Sequence, residues 1–216
     1  MKKNRRKIPS IDTENPIIVL AGYPNTGKTT ILSRITSSKP KIAGYAFTTQ
    51  DLNMGKMNYK FFELQVMDTP GLLDREKNKM NEIERKAAAA LKYIASIILF
   101  VIDASKSSGY EFEKQMHLLK ETKNAFPRIP MIVLLNKTDL AEKKEIEEKK
   151  EKIREFEKEI NEEKTRKIRR ENEETKRNGK EIQKTIIPLI ECGKGNEKEL
   201  IEKLKKELDE LKLKFK

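Results

Sequence analysis

The string Gly22-Tyr23-Pro24-Asn25-Thr26-Gly27-Lys28-Thr29 has the spacing of a phosphate-binding loop: glycines for a tight wrap, then a cation, then a hydroxyl. It stands where such a loop works, after the apolar run Pro16 to Ala21 and before Ile31, Leu32 and Ile35, which recur at helical spacing. Backbone N–H groups at a helix N-terminus attract anions, so Gly22 to Thr30 are expected to surround the phosphates of a nucleotide. Lys28 would reach the β and γ oxygens and Thr29 would ligate magnesium. Two further strings follow in order. Asp68-Thr-Pro-Gly71 offers a carboxylate that can hold magnesium through water and a Gly71 N–H for the γ-phosphate. Asn136-Lys137-Thr-Asp139 follows the apolar run Met131 to Leu135, at the sheet edge where α/β proteins bind ligands. Asp139 can accept from the ring N–H and exocyclic amine of guanine, Asn136 can bond the N7 side, and the Lys137 stem can lie along the base. Adenine lacks the matching donors, so GTP and GDP with magnesium are the expected ligands.

These strings need a scaffold. Leu52 to Met57 and Phe61 to Met67 alternate polar and apolar residues and read as an antiparallel pair; Ser96 to Ile102, Met131 to Leu135 and Thr185 to Ile190 read as buried strands. Helical patterns fill Thr29 to Thr36, Asn81 to Ile94, Glu111 to Ala125 and a last segment carrying Leu200, Ile201, Leu204, Leu208 and Leu211. Strands alternating with helices predict an α/β, three-layer domain over residues 16–216. Its sheet would be mostly parallel and six-stranded, with one antiparallel edge strand. Residues 141–184 interrupt it: 16 are basic and 14 acidic, and Ile146, Ile153, Phe156 and Ile160 form a narrow apolar stripe. This predicts a long charged helical insertion before the last strand, either lying on the domain or reaching out to a partner.

With one cysteine, Cys192, no internal disulfide can form, and no leading apolar segment signals export, so a cytoplasmic location is expected. No apolar run nears the roughly 20 residues of a membrane span, and a monomer free of membranes is expected. The net charge of +12, with Lys2, Lys3, Arg5, Arg6 and Lys7 in a basic tail over residues 1–15, suits either an RNA partner or a solvated terminus.

The ordered strings resemble the translation-factor-related GTPases, and within them the Obg group. Tyr45-Ala-Phe-Thr-Thr49 with Met54-Gly55 is similar to that group's switch segment, usually Tyr-Pro-Phe-Thr-Thr, which implies Thr49 as a magnesium ligand. DTPGLLDR, Asn81-Glu-Ile-Glu-Arg85 and Ser108-Gly-Tyr-Glu-Phe-Glu-Lys-Gln115 look like the nucleolar GTP-binding protein branch and its archaeal relatives. The resemblance implies slow GTP hydrolysis as a switch, with the large ribosomal subunit or its precursors (rRNA and proteins) as partner. Three departures stand out. Ala46 replaces the proline; Glu191-Cys192-Gly193 stands where Ser-Ala-Lys is usual, which leaves base contact to backbone N–H groups; and 15 residues precede the first strand where that branch is expected to carry a helical domain.

Hydrolysis rests on Lys28, Thr49, Gly71 and Asn25. Leu72 occupies the place of the water-orienting glutamine of Ras-like enzymes and cannot hydrogen-bond, hence the slow rate. Asn25 has two readings: in loops resembling this one it holds potassium, or it stiffens the loop through local hydrogen bonds. Asp103 is read as a loop carboxylate satisfying nearby donors, and His117 as a surface or packing residue.

Overall fold

The computed structural model describes residues 15–37, 40–44, 51–76, 79–174, 189–194 and 197–210, without the side chains of 43, 44, 51, 62 and 163–174. The basic tail, the switch residues 45–49, the end of the insertion beyond 174, the start of the last strand and Leu211 lie outside the described residues.

Seven strands form one sheet in the order β2-β3-β4-β1-β5-β6-β7. They are β1 Ile17–Ala21, β2 Lys41–Gly44, β3 Asp51–Tyr59, β4 Phe62–Asp68, β5 Ala95–Asp103, β6 Met131–Asn136 and β7 Leu189–Cys192. β1 pairs in parallel with β4 and β5, and β6 with β5 and β7, while β3 runs antiparallel to β2 and to β4. The expected six strands become seven because β2 adds itself to the edge through its backbone ladder. Its Ile42 is 57% exposed, so no burial pattern advertised it. The β3–β4 pair turns at Lys60 and Phe61, Lys60 taking a left-handed φ of 51°.

Side-chain alternation along the central strands divides the interior into two layers. Ile17, Val19, Ile98, Phe100, Ile102, Val133 and Leu135 face one side. Ile18, Leu20, Ile97, Leu99, Val101, Ile132 and Leu134 face the other. The helices are α1 Lys28–Ile35, α2 Glu82–Ala90, α3 Phe112–Ala125, α4 Lys143–Glu174 and α5 Glu197–Glu210. α1 and α5 cover the second side with Ile31, Leu32, Ile35, Leu200, Leu204 and Leu208, while α2, α3 and α4 cover the first. α2 starts on a capping box in which the Asn81 side chain accepts from the Glu84 N–H and the Glu84 carboxylate from the Asn81 N–H, the string Asn-Glu-Ile-Glu supplying both halves.

The insertion is α4, 32 residues long. Its stripe docks: Ile146, Ile153 and Phe156 are buried and Ile160 packs against the same core. Lys149 donates to the Ala104 carbonyl at 2.6 Å, and Lys150 pairs with Glu191 at 2.6 Å. Its first five turns therefore lie on the domain and brace the ends of β5 and β7.

Candidate nucleotide site

β1 delivers the chain into the loop at Gly22, whose φ of 125° suits glycine and whose Cβ, if present, would stand 2.3 Å from the Val101 carbonyl oxygen. Asn25 and Gly27 also take left-handed backbone, φ 64° and 99°. Asparagine and glycine tolerate that region best. Gly27 is the N-cap of α1 and brings no side chain to its first N–H groups, while Thr29 and Thr30 are exposed beside them. The helix start is thus open to an anion. Lys28 is 8% exposed and donates to the Gly22 and Tyr23 carbonyls at 2.7 and 2.9 Å. Burial pushes its ammonium below the usual 10.5, with Asp68 and Asp74 opposing that shift. A cation so desolvated gains strongly from added phosphate charge.

Thr29 Oγ1 donates to Asp68 Oδ2 at 2.7 Å. The other oxygen, Asp68 Oδ1, is buried and has no hydrogen-bond partner, a condition shared by Glu121 Oε2 among the described residues. A buried carboxylate oxygen without a donor is costly unless a cation completes it. Hydroxyl and carboxylate oxygens are the donors a hard divalent ion takes, so Thr29 and Asp68 fit magnesium. When bound there, magnesium would neutralise charge on the phosphate oxygens.

The Gly71 N–H, expected at the γ-phosphate, donates to Asp74 Oδ2 at 2.8 Å. Leu72 is fully buried in the core and presents nothing to a reacting water. Tyr23 stacks on Tyr110 at 4.1 Å between centroids and donates to Glu76. Burial, with Glu76 adding to it, pushes the Tyr23 phenol up to about 12. The phosphate loop is thereby joined to the segment after Gly71 and to the loop after β5.

β6 carries the guanine-type loop. Asn136 Nδ2 donates to the Thr26 carbonyl at 2.8 Å, tying this loop to the phosphate loop. Lys137, at a left-handed φ of 58°, donates to Asp103 Oδ2 at 2.6 Å and to the Asn25 carbonyl at 2.9 Å. Asp103 Oδ1 also accepts from the Ser105 N–H and hydroxyl, as the sequence reading expected. Its grip on Lys137 went unread, as did that of buried Gln115, whose amide bonds the Asp103 N–H and carbonyl. The Asn25 side chain is exposed and enters no hydrogen bond among the described residues, so the loop is stiffened by backbone conformation rather than by that amide. His117 is exposed on α3.

Of Glu191, Cys192 and Gly193, the structure brings Gly193 against Asp139. β7 runs on through Cys192, two residues past the expected strand end; Glu191 turns to Lys150, and Cys192 is buried beside Arg34, where burial raises its thiol. The donor that meets Asp139 Oδ1 is the Lys194 N–H, at 2.8 Å. A carboxylate at the strand ends, an open helix N-terminus and a magnesium-type oxygen pair define an α/β P-loop nucleotide-binding domain.

Comparison with known proteins extends this. Residues 17–137 match the model of the 50S ribosome-binding GTPase family, and the chain belongs to that family. It is a GTP-binding GTPase domain. An uncharacterized protein from Methanocaldococcus jannaschii is 44% identical over 144 residues, which is 66% of this chain and 40% of that protein. Nucleolar GTP-binding protein 1 of Saccharomyces cerevisiae is 36% identical over 71% of this chain and 24% of its own length. The chain thus matches less than half the length of these relatives. A Plasmodium falciparum structure described as nucleolar GTP-binding protein 1 superposes with a TM-score of 0.62 at 26% identity, covering 94% of this chain and 93% of that one.

Proposed function

We propose that this domain is a magnesium-dependent guanine nucleotide switch that hydrolyses GTP slowly and acts, in the cytoplasm, in assembly of the large ribosomal subunit. The supporting observation is the convergence on one open helix start of buried Lys28, Thr29 and a half-satisfied Asp68. Lys28 and the N–H groups of α1 hold the phosphates, Asp139 reads guanine, and Thr29, Asp68 and Thr49 hold the metal. Gly71 can meet a γ-phosphate by exchanging the Asp74 carboxylate for it. Slow turnover follows from Leu72, which is locked in the core. Asn25, exposed on the loop, is placed to help hold potassium, which would supply positive charge to the developing transition state. The ribosomal role rests on relatives that share this domain but extend well beyond it.

Single-turnover GTP hydrolysis in matched potassium and sodium buffers, with and without large subunits or their precursors, tests this. Stimulation by particles, and their co-sedimentation with the chain in a non-hydrolysable GTP analogue but not in GDP, is expected. A potassium rate at least about tenfold above sodium assigns Asn25 its role, since one well-placed transition-state contact is worth that much or more; equal rates remove it. No nucleotide-dependent association would sink the ribosomal reading.

One observation favours a second reading, a protein-docking module with negligible turnover. Beyond Ile160, the last described residue of the docked stripe, α4 continues to Glu174, roughly 20 Å at 1.5 Å per residue. Because Ile146, Ile153, Phe156 and Ile160 pack into the core, a deletion should begin at 163. Removing 163–180 would abolish partner capture on this reading and leave subunit binding intact on the first.

A further inference from the structure

Arg34 lies in the last turn of α1, the helix that begins with Lys28 and Thr29. Its guanidinium reaches the far side of the site, where Nη1 donates to Cys192 Sγ at 3.1 Å and to the Gly193 carbonyl at 3.3 Å. The other end of that same peptide unit is the Lys194 N–H, which donates to Asp139 Oδ1. The described residues contain no cis peptide bond, so this C=O and N–H point in opposite directions. One rigid plane therefore stands between a guanidinium and the carboxylate assigned above to guanine.

The plane is also walled in. A Cβ on Gly193 would sit 3.0 Å from Thr138 Oγ1 and 3.1 Å from Asp139 Oδ1, tighter than ordinary contact. With one end held by Arg34 and a side pressed on the guanine loop, the peptide has little freedom to rotate, and its N–H has a fixed direction. We propose that Arg34 is a positioning residue for base recognition: by anchoring the Gly193–Lys194 peptide it orients Asp139 so that the carboxylate faces the N1–H and exocyclic amine of guanine. This rests on the guanine reading of Asp139. Arginine suits the task because its planar, multi-donor head can serve sulfur and carbonyl together. The arrangement also links the two halves of the site, since the helix that receives the phosphates carries the residue that sets the base loop.

The test compares GDP with inosine diphosphate, which lacks the exocyclic amine, as competitors for labelled GDP on the full chain. Arg34→Met keeps the apolar stem and is expected to weaken GDP about tenfold, the value of one charge-assisted hydrogen bond. The inosine nucleotide should lose less, about threefold, because it keeps the N1–H bond to Asp139 but has no amine bond to lose. Arg34→Lys should recover part of the discrimination. Gly193→Ala, which presses on Asp139 without touching α1, should lower the GDP-to-inosine ratio in the same direction. In an Asp139→Ala background, Arg34→Met should change GDP affinity by less than about twofold, because the two act as one unit. Equal loss of both nucleotides in Arg34→Met, an unchanged ratio in Gly193→Ala, or a full tenfold effect without Asp139 would each overturn the proposal. If Asp139→Ala alone leaves GDP affinity intact, the guanine reading itself falls and takes this one with it.

Discussion

Replacing Lys28 with methionine is expected to weaken GTP binding at least about 100-fold, while the domain stays folded. The asymmetry comes from desolvation. Without nucleotide, the ammonium is buried against two carbonyls and two nearby carboxylates, Asp68 and Asp74, that only partly offset its lost hydration. With nucleotide, the phosphates restore the missing negative charge in the same water-poor space. The apo domain should therefore tolerate the substitution far better than the complex does. The folded pKa lies below 10.5, so the unfolded chain binds more protons just under that value and apo stability rises with pH through that window. Methionine at position 28 should flatten this slope. Nucleotide titration together with apo melting at several alkaline pH values checks both halves; an equal loss of apo stability and GTP affinity would show that the side chain is structural.

Asp139→Asn is expected to turn base preference around. The carboxylate accepts from two guanine N–H donors, whereas an amide offers N–H on one side, which suits the carbonyl that xanthine carries in place of the amine. GTP affinity should fall about 100-fold, since a site built to receive a polar group rejects its mismatch strongly, and xanthosine triphosphate should bind at least as well as GTP. Competition binding with both nucleotides reads this directly. GTP affinity retained in the variant would refute the assignment of Asp139 to the base.

The parts of the site that could be read in the sequence are those written in consecutive residues at a strand-to-helix junction. Gly22 to Thr29, Asp68 to Gly71 and Asn136 to Asp139 each stand at the C-terminal end of a strand, and β1, β4 and β6 place all three at one edge of the sheet. The central sheet was legible because Ile17 to Ala21 and Ile97 to Ile102 are apolar throughout, as strands buried on both faces must be, with alternate side chains in each core layer. Residues that act through contacts between distant segments left no local mark. Arg34 and Gly193 are 159 positions apart, Asp103 and Lys137 are 34 apart, and nothing in either string announces its partner. The Asn136 bond to the Thr26 carbonyl is likewise a product of the fold, spanning 110 positions. β2 escaped because an edge strand with an exposed Ile42 needs no apolar alternation. The side-chain contacts of Glu191 and Cys192, with Lys150 of the insertion and Arg34 of α1, were illegible for a related reason, since both partners lie far off in sequence.

The Lys194 N–H bonds Asp139, Gly193 packs against it and Arg34 holds the peptide between them, so the base assignment proposed for Asp139 is the claim to test first. Competition of GTP and ATP for labelled GDP on the unmodified chain, with magnesium present, therefore tests the central claim most directly. GTP is expected to displace the label at concentrations about 10⁴-fold below ATP, the discrimination of a site built to hydrogen-bond its base. Equal displacement by ATP, or no displacement by either, would contradict it.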